Sequence, residues 1–173
     1  NKTYILEIKG DIDKFSMAVP GGEVAQGTVN ALLSIEQWGT GKWRNLNSAF
    51  AKCVNLEILS TVKGEPDLTF CDDLSYMFKG CTRLKMVDPQ GKWKLQNIKT
   101  VLAMFEDCPQ FNDQKIANWD VRNVASFSRM FCRATSFNVK IDNWDVSQAT
   151  NMSQMFLSCL NFKGEGLDKW ATK

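Results

Sequence analysis

Apolar residues along this chain recur in fixed columns. Met-Phe occurs at Met77-Phe78, Met104-Phe105, Met130-Phe131 and Met155-Phe156, with Ala49-Phe50 as a degenerate first copy. Successive phenylalanines lie 28, 27, 26 and 25 residues apart. Their neighbours keep register. Three residues after each Phe come Cys53, Cys81, Cys108, Ala134 and Cys159, and six after come Leu56, Leu84, Phe111, Phe137 and Phe162. Four before stand Leu46, Leu74, Val101, Phe127 and Met152. Twelve before stand Trp38, Pro66, Trp93, Trp119 and Trp144. Ile35, Ile116, Ile141 and Leu167 each precede a tryptophan by three, and Trp170 opens a sixth, incomplete copy.

A period of this length is the signature of a stacked repeat, because one copy cannot bury a Phe, a Trp and several aliphatics alone. The pattern predicts an α/β repeat: a right-handed, leucine-rich-repeat-like solenoid of about five units of 25–28 residues, each with a short strand and a short helix. Asn118 to Val121 and Asn143 to Val146 read as short strands. Ala149, Met152, Met155 and Phe156 are spaced i, i+3, i+6 and i+7, which reads as one or two helical turns. Thr150 or Asn151, and Asp72 or Asp73, are placed as N-caps. Residues 1–30 lie outside the register and are expected to form an N-terminal β cap or a linker from a preceding module. Ile12 to Met17 would pair back on Tyr4 to Ile8 as a hairpin, with the repeat filling 31–173. Because Asn1 to Ile8 begins as a strand already under way, the chain reads as a piece of a longer or processed protein.

Composition narrows the chemistry. Lys plus Arg is 21 against 19 for Asp plus Glu, so no basic footprint for nucleic acid exists. No apolar run is long enough to span a membrane. Histidine is absent, which removes His-dependent nucleophilic catalysis and His metal ligation.

The run Phe137-Asn138, Ile141, Trp144-Asp145-Val146-Ser147, Thr150-Asn151-Met152-Ser153, Met155-Phe156 resembles the repeat of BspA-type leucine-rich-repeat surface proteins. Ala49-Phe50-Ala51-Lys52-Cys53-Val54-Asn55-Leu56 is similar to a shorter variant of that repeat. The likeness covers about Leu32 to Lys173. It departs at Pro66, at the irregular Ile58 to Pro66 stretch and at the altered turn Lys85 to Pro89. The resemblance implies a bacterial protein, at the cell surface or secreted, acting in adhesion, with no catalytic residues to carry over.

Each reactive-looking group has a structural reading. The cysteine column predicts reduced core thiols, with Cys81 and Cys108 the pair best placed for a bridge if one forms, and Cys132 the best candidate for an exposed thiol. The tryptophans read as core rather than a glycan-stacking platform. Asp120 and Asp145 read as turn caps before a calcium row. Asn112 and Asn138 read as buried side chains satisfying tight turns. Asn151 caps the backbone in preference to carrying a glycan.

The functional expectation is a non-catalytic interaction module that presents one face to an extracellular protein or glycan. No cofactor, metal, nucleic acid or membrane span is expected. Binding residues would come from variable positions between the columns: Lys115, Ala117, Arg122, Lys140, Asp142 and Gln148. The alternative is a structural spacer displaying other domains. A carboxylate-pair glycoside hydrolase would need two acids in one cleft, and nothing marks such a pair. The unfinished C-terminal copy predicts end-to-end self-association.

Overall fold

The computed structural model describes residues 10–17 and 30–170. The phenylalanines form one row. Ring centroids are 5.5 Å apart for Phe50–Phe78, 5.9 Å for Phe78–Phe105, 5.8 Å for Phe105–Phe131 and 5.9 Å for Phe131–Phe156, with planes within 13° of parallel. A second aromatic column folds against the first within each copy: Phe111 lies 3.9 Å from Phe105, and Phe137 3.9 Å from Phe131. The core is the space between these columns, closed by the buried Trp38, Trp93, Trp119 and Trp144.

The strand-plus-helix solenoid expected from the spacing does not form. Among the described residues there is no β-strand and no helix of seven residues or more. The named elements are two short 3₁₀ helices, Gln114–Asn118 and Leu167–Lys169. Parallel pairing is confined to single-residue bridges, the longest chain of them running Asp73, Thr100, Ser126, Asn151. The expected strands around Trp119 and Trp144 are turns instead. Each tryptophan backbone N–H closes a four-residue turn onto Ile116 or Ile141. Ile12 pairs in parallel with Trp43, and the Tyr4 to Ile8 partner lies outside the described residues.

The reason is a left-handed backbone at two positions in every copy. Ser48, Tyr76, Ala103, Arg129 and Gln154, two before each Phe, have φ between 53° and 59°. Lys52, Gly80, Asp107, Arg133 and Ser158, two after, have φ between 60° and 75°. An α-helix tolerates no such residue, and a strand needs consecutive extended ones. The i, i+3 spacing of Met152, Met155 and Phe156 serves repeated turns as well as a helix. Met155 N–H donates to Met152 O, Leu157 to Gln154 O and Cys159 to Phe156 O.

With these turns in place, alternate N–H groups around the Phe, those of the left-handed residues included, face the next copy. Phe127, Arg129, Phe131 and Arg133 donate to the carbonyls of Asn151, Ser153, Met155 and Leu157 at 2.8, 2.9, 3.0 and 2.7 Å. The same four-bond comb joins Val101, Ala103, Phe105 and Asp107 to Ser126, Ser128, Met130 and Cys132. It recurs from Leu74, Tyr76, Phe78 and Gly80 to Thr100, Leu102, Met104 and Glu106. Left-handed residues other than glycine cost roughly 1–2 kcal/mol each. Burial of a Phe or Leu, at about 1.5–3 kcal/mol apiece, offsets that cost within a copy. Side chains five before each Phe fix the turn entry: Asn45, Asp73, Thr100 and Asn151 accept the N–H two residues on. Asp73 and Asn151 thus cap a turn, not the helix expected for them.

Candidate functional site

All six cysteines are free and buried. Three form a ladder of their own. Cys81 Sγ donates to Phe50 O at 3.1 Å, Cys108 to Phe78 O at 3.0 Å and Cys159 to Phe131 O at 2.7 Å, so each thiol reaches the carbonyl one copy back. Burial pushes Cys53, Cys108 and Cys159 up to about 12, which keeps them protonated. The exposed thiol expected at Cys132 is corrected: that side chain is buried, with Arg133 Nη1 3.3 Å from its sulfur. Two tryptophan indoles are occupied in the same way, whereas the buried Trp38 and Trp43 indoles have no hydrogen-bond partner among the described residues. Trp144 Nε1 donates to Ile116 O at 3.1 Å and Trp170 Nε1 to Ile141 O at 3.0 Å.

Buried carboxylates are likewise saturated. Asp113 Oδ2 accepts the N–H groups of Val87 and Asp88, both at 2.9 Å. Asp88 Oδ1 accepts Lys92 N–H at 2.8 Å, and Oδ2 accepts Trp93 N–H at 2.9 Å and Trp119 Nε1 at 3.0 Å. The altered turn Lys85 to Pro89 is therefore where a carboxylate replaces the carbonyl that other copies offer. Glu106, 1% exposed, sits under three cations: Arg133 Nη2 at 2.8 Å, Lys79 Nζ as an ion pair at 2.9 Å, and Arg129. Burial raises the Glu106 carboxyl, but bonds from Arg129 and Lys79 outweigh it and hold it below its ordinary value. The hydrogen bond from Arg133 holds Asp107 low as well.

Surface chemistry concentrates on the turns that follow the tryptophan column. One concavity of about 410 Å³ is lined by Gly39, Pro66, Asp67, Thr69, Lys94 and Gln96 among others. A second, of about 300 Å³, is lined by Ala117, Trp119, Asp120, Arg122, Asn143 and Asp145 among others. Asp67, Lys94, Asp120 and Asp145 each stand eleven residues before their copy's Phe, so the two hollows share one face. Half-exposed Phe70 lies beside the first hollow's Thr69 in sequence, with Lys42 Nζ 5.2 Å and the Arg44 guanidinium 5.0 Å from its ring. Sequence reasoning missed Phe70, because it falls outside every apolar column.

The expected binding residues separate. Arg122 and Ala117 line the second hollow, where Arg122 Nε pairs with Asp120 Oδ1 at 2.8 Å. Exposed Gln148 is eight before its Phe, the column of Phe70. Lys115, also exposed, stands sixteen before its Phe, as Lys140 does, outside both linings. Lys140 and Lys169 both hold Asp142, at 3.5 and 2.8 Å. Asp145 Oδ1 caps Ser147 N–H at 3.0 Å, and among the described residues no set of three or more potential metal ligands gathers. The Asn112 and Asn138 expectation is also corrected. Both are exposed, although each accepts a backbone N–H one copy on, Asn138 at 3.0 Å and Lys163 at 3.2 Å. Among the described residues no helix is long and apolar enough to cross a membrane.

These features define a repeat protein whose copies are joined turn to turn. Residues 72–173 match the family described as Mycoplasma protein of unknown function, DUF285, and the chain belongs to that family. No curated protein matches the chain, and no solved structure does.

Proposed function

We propose that this chain is a non-catalytic interaction module, carried at the cell surface or secreted, that binds an extracellular protein or glycan through the turns following its tryptophan column. The observation that carries this reading is the placement of both hollows on that one face, in different copies. Asp67, Thr69, Lys94, Gln96, Asp120, Arg122 and Asp145 give it mixed charge and many hydrogen-bonding groups, with Phe70 as an aromatic contact. Such a face suits a polar ligand that spans several copies. The likeness of the Trp144 to Phe156 run to BspA-type surface proteins supports the same assignment. Buried, protonated thiols and saturated buried carboxylates favour binding over catalysis.

The test is direct binding of the whole chain to arrayed extracellular-matrix proteins and glycans. A hit should weaken at least tenfold in the Arg122→Ala, Asp145→Ala double variant and stay within twofold in Lys140→Ala. Binding to nothing above background, or equal loss in both variants, would refute the assignment.

A further inference from the structure

The second copy departs twice from its neighbours, and both departures fall on the face that carries the hollows. Pro66 stands where the copies on either side carry Trp38 and Trp93, and those two rings meet edge to face at 5.4 Å across the gap. The first hollow is lined by Pro66 and by Gly39 and Gly64, over each of which a Cβ would meet nothing within 4 Å. Phe70 is the other departure. Eight residues before their own Phe, Asn97 and Asn123 send Nδ2 back to the carbonyls of Thr69 and Gln96 in the preceding copy, at 2.8 and 2.7 Å. Phe70 holds that position in the second copy, has no such donor and is 50% exposed. The stack loses a join there and gains a ring in water, which marks a side chain kept for contact with something outside the fold.

Charge on this face alternates by copy. Lys42 Nζ and the Arg44 guanidinium stand 5.2 and 5.0 Å from the Phe70 ring, and Lys42 bridges in parallel to Asp67 in the hollow's lining. Bonds from Thr69 hold the Asp67 carboxyl below its ordinary value, and Lys42 and Lys94 add to the effect from the copies on either side. The order is therefore Lys42 and Arg44 in the first copy, Glu65 and Asp67 in the second, and Lys94 in the third. Arg44 meets only the 94% exposed Asp13, at 3.2 Å, a contact worth little in water, and Lys42 and Lys94 form no ion pair among the described residues.

We propose that this hollow, with Phe70, Lys42 and Arg44 at its rim, binds a linear acidic glycan in which uronate and neutral rings alternate, one ring to a copy. The assignment rests on the reading of this face as a binding surface and names its ligand. A sugar chain offers together what the site can use: an apolar C–H face for Phe70, a carboxylate for Lys42 and Arg44, and hydroxyls for Asp67, Thr69 and Gln96. Rings of a linear pyranose chain follow one another at close to the spacing of the copies, 5.5 to 5.9 Å between stacked phenylalanines. An extended peptide returns to the same face about every 6.7 Å and would slip by roughly 1 Å per copy. A uniformly sulfated chain would set charge against Glu65 and Asp67, so the alternation selects a chain with one acidic ring in two.

The whole chain is titrated with hyaluronan fragments, in which uronate and N-acetyl rings alternate, with heavily sulfated heparin and with uncharged chitin fragments. Hyaluronan should bind at least tenfold more tightly than either. Phe70→Asn should weaken it at least tenfold while leaving the urea midpoint unchanged or higher, because the amide can remake the join to the first copy. Lys42→Gln with Arg44→Gln should weaken it as much and flatten its salt dependence. Glu65→Gln with Asp67→Asn should strengthen heparin binding at least tenfold. Heparin or chitin binding the unaltered chain as well as hyaluronan does would overturn the proposal, and so would a Phe70→Asn chain that binds undiminished. A Phe70→Asn chain that unfolds at lower urea would overturn it too, since the ring would then belong to the fold. A matrix protein that binds through Arg122 and Asp145 and ignores Phe70→Asn, with no glycan bound, would sink the glycan assignment and leave the interaction module standing. Binding to neither class would sink both.

Discussion

Replacing Asp88 by asparagine should be among the most destabilising single-atom-scale changes in the molecule. Asp88 is 2% exposed, and its two oxygens hold three N–H groups: Lys92, Trp93 and the Trp119 indole. An amide keeps only one acceptor oxygen. Its NH₂ must then face either Lys92 N–H or the two tryptophan donors, leaving at least one buried donor opposed. Net hydrogen bonds to a charged group are worth about 1.5–3 kcal/mol each, and an unsatisfied buried donor costs roughly 1–3. Relief from burying a charge offsets part of this. The expected loss is about 3 kcal/mol for Asp88→Asn and about 4–5 for Asp88→Ala, or a melting-temperature drop of roughly 6–12 °C for the amide. Urea titration followed by tryptophan fluorescence reads the change, since Trp93 and Trp119 are the side chains released. Asp145→Asn is the control: it caps a single N–H at an exposed turn and should cost less than about 1 kcal/mol. A loss at Asp88 no larger than at Asp145 would refute the view that a carboxylate replaces a backbone carbonyl in the altered turn.

Acid should weaken the stack through Glu106 and Asp107. Both carboxyls titrate lower folded than unfolded, so their contribution is complete above the ordinary carboxyl range near pH 4 and is lost as pH falls through the folded values. Stability measured from pH 6 to 3 should decline, and Glu106→Gln should flatten the decline; an unchanged slope would count against the three-cation cluster. Thiol reagents should find the native protein nearly inert at pH 8, because thiols held near 12 are ionised to about one part in ten thousand. Six thiols should appear in denaturant, and fast native labelling at Cys132 would contradict its burial.

The columns were legible because burial depends on side-chain identity at a fixed period. Phe78, Phe105, Phe131 and Phe156 line up for that reason alone. Chain path was not legible. Met152, Met155 and Phe156 have spacing that suits a helix and a run of turns alike, and Gln154 carries no sign that its φ is positive. Asp120 and Asp145 were readable as turn caps from the residue type, since a short carboxylate can accept the N–H two residues on. Cys132 was misread because its exposure depends on what the neighbouring copies place above it. Phe70 and the hollows arise from side chains more than twenty residues apart, and no local pattern marks them.

Sequence by itself determined which residues leave water and that copies of 25–28 residues share one register, since apolar burial is indifferent to how the backbone turns. Only the tertiary structure decided that the described copies are built on turns with two left-handed residues each, with no β-strand and no helix longer than a short 3₁₀ segment. That choice is made between copies: alternate N–H groups find carbonyls one repeat away, and no single copy holds both partners of those bonds.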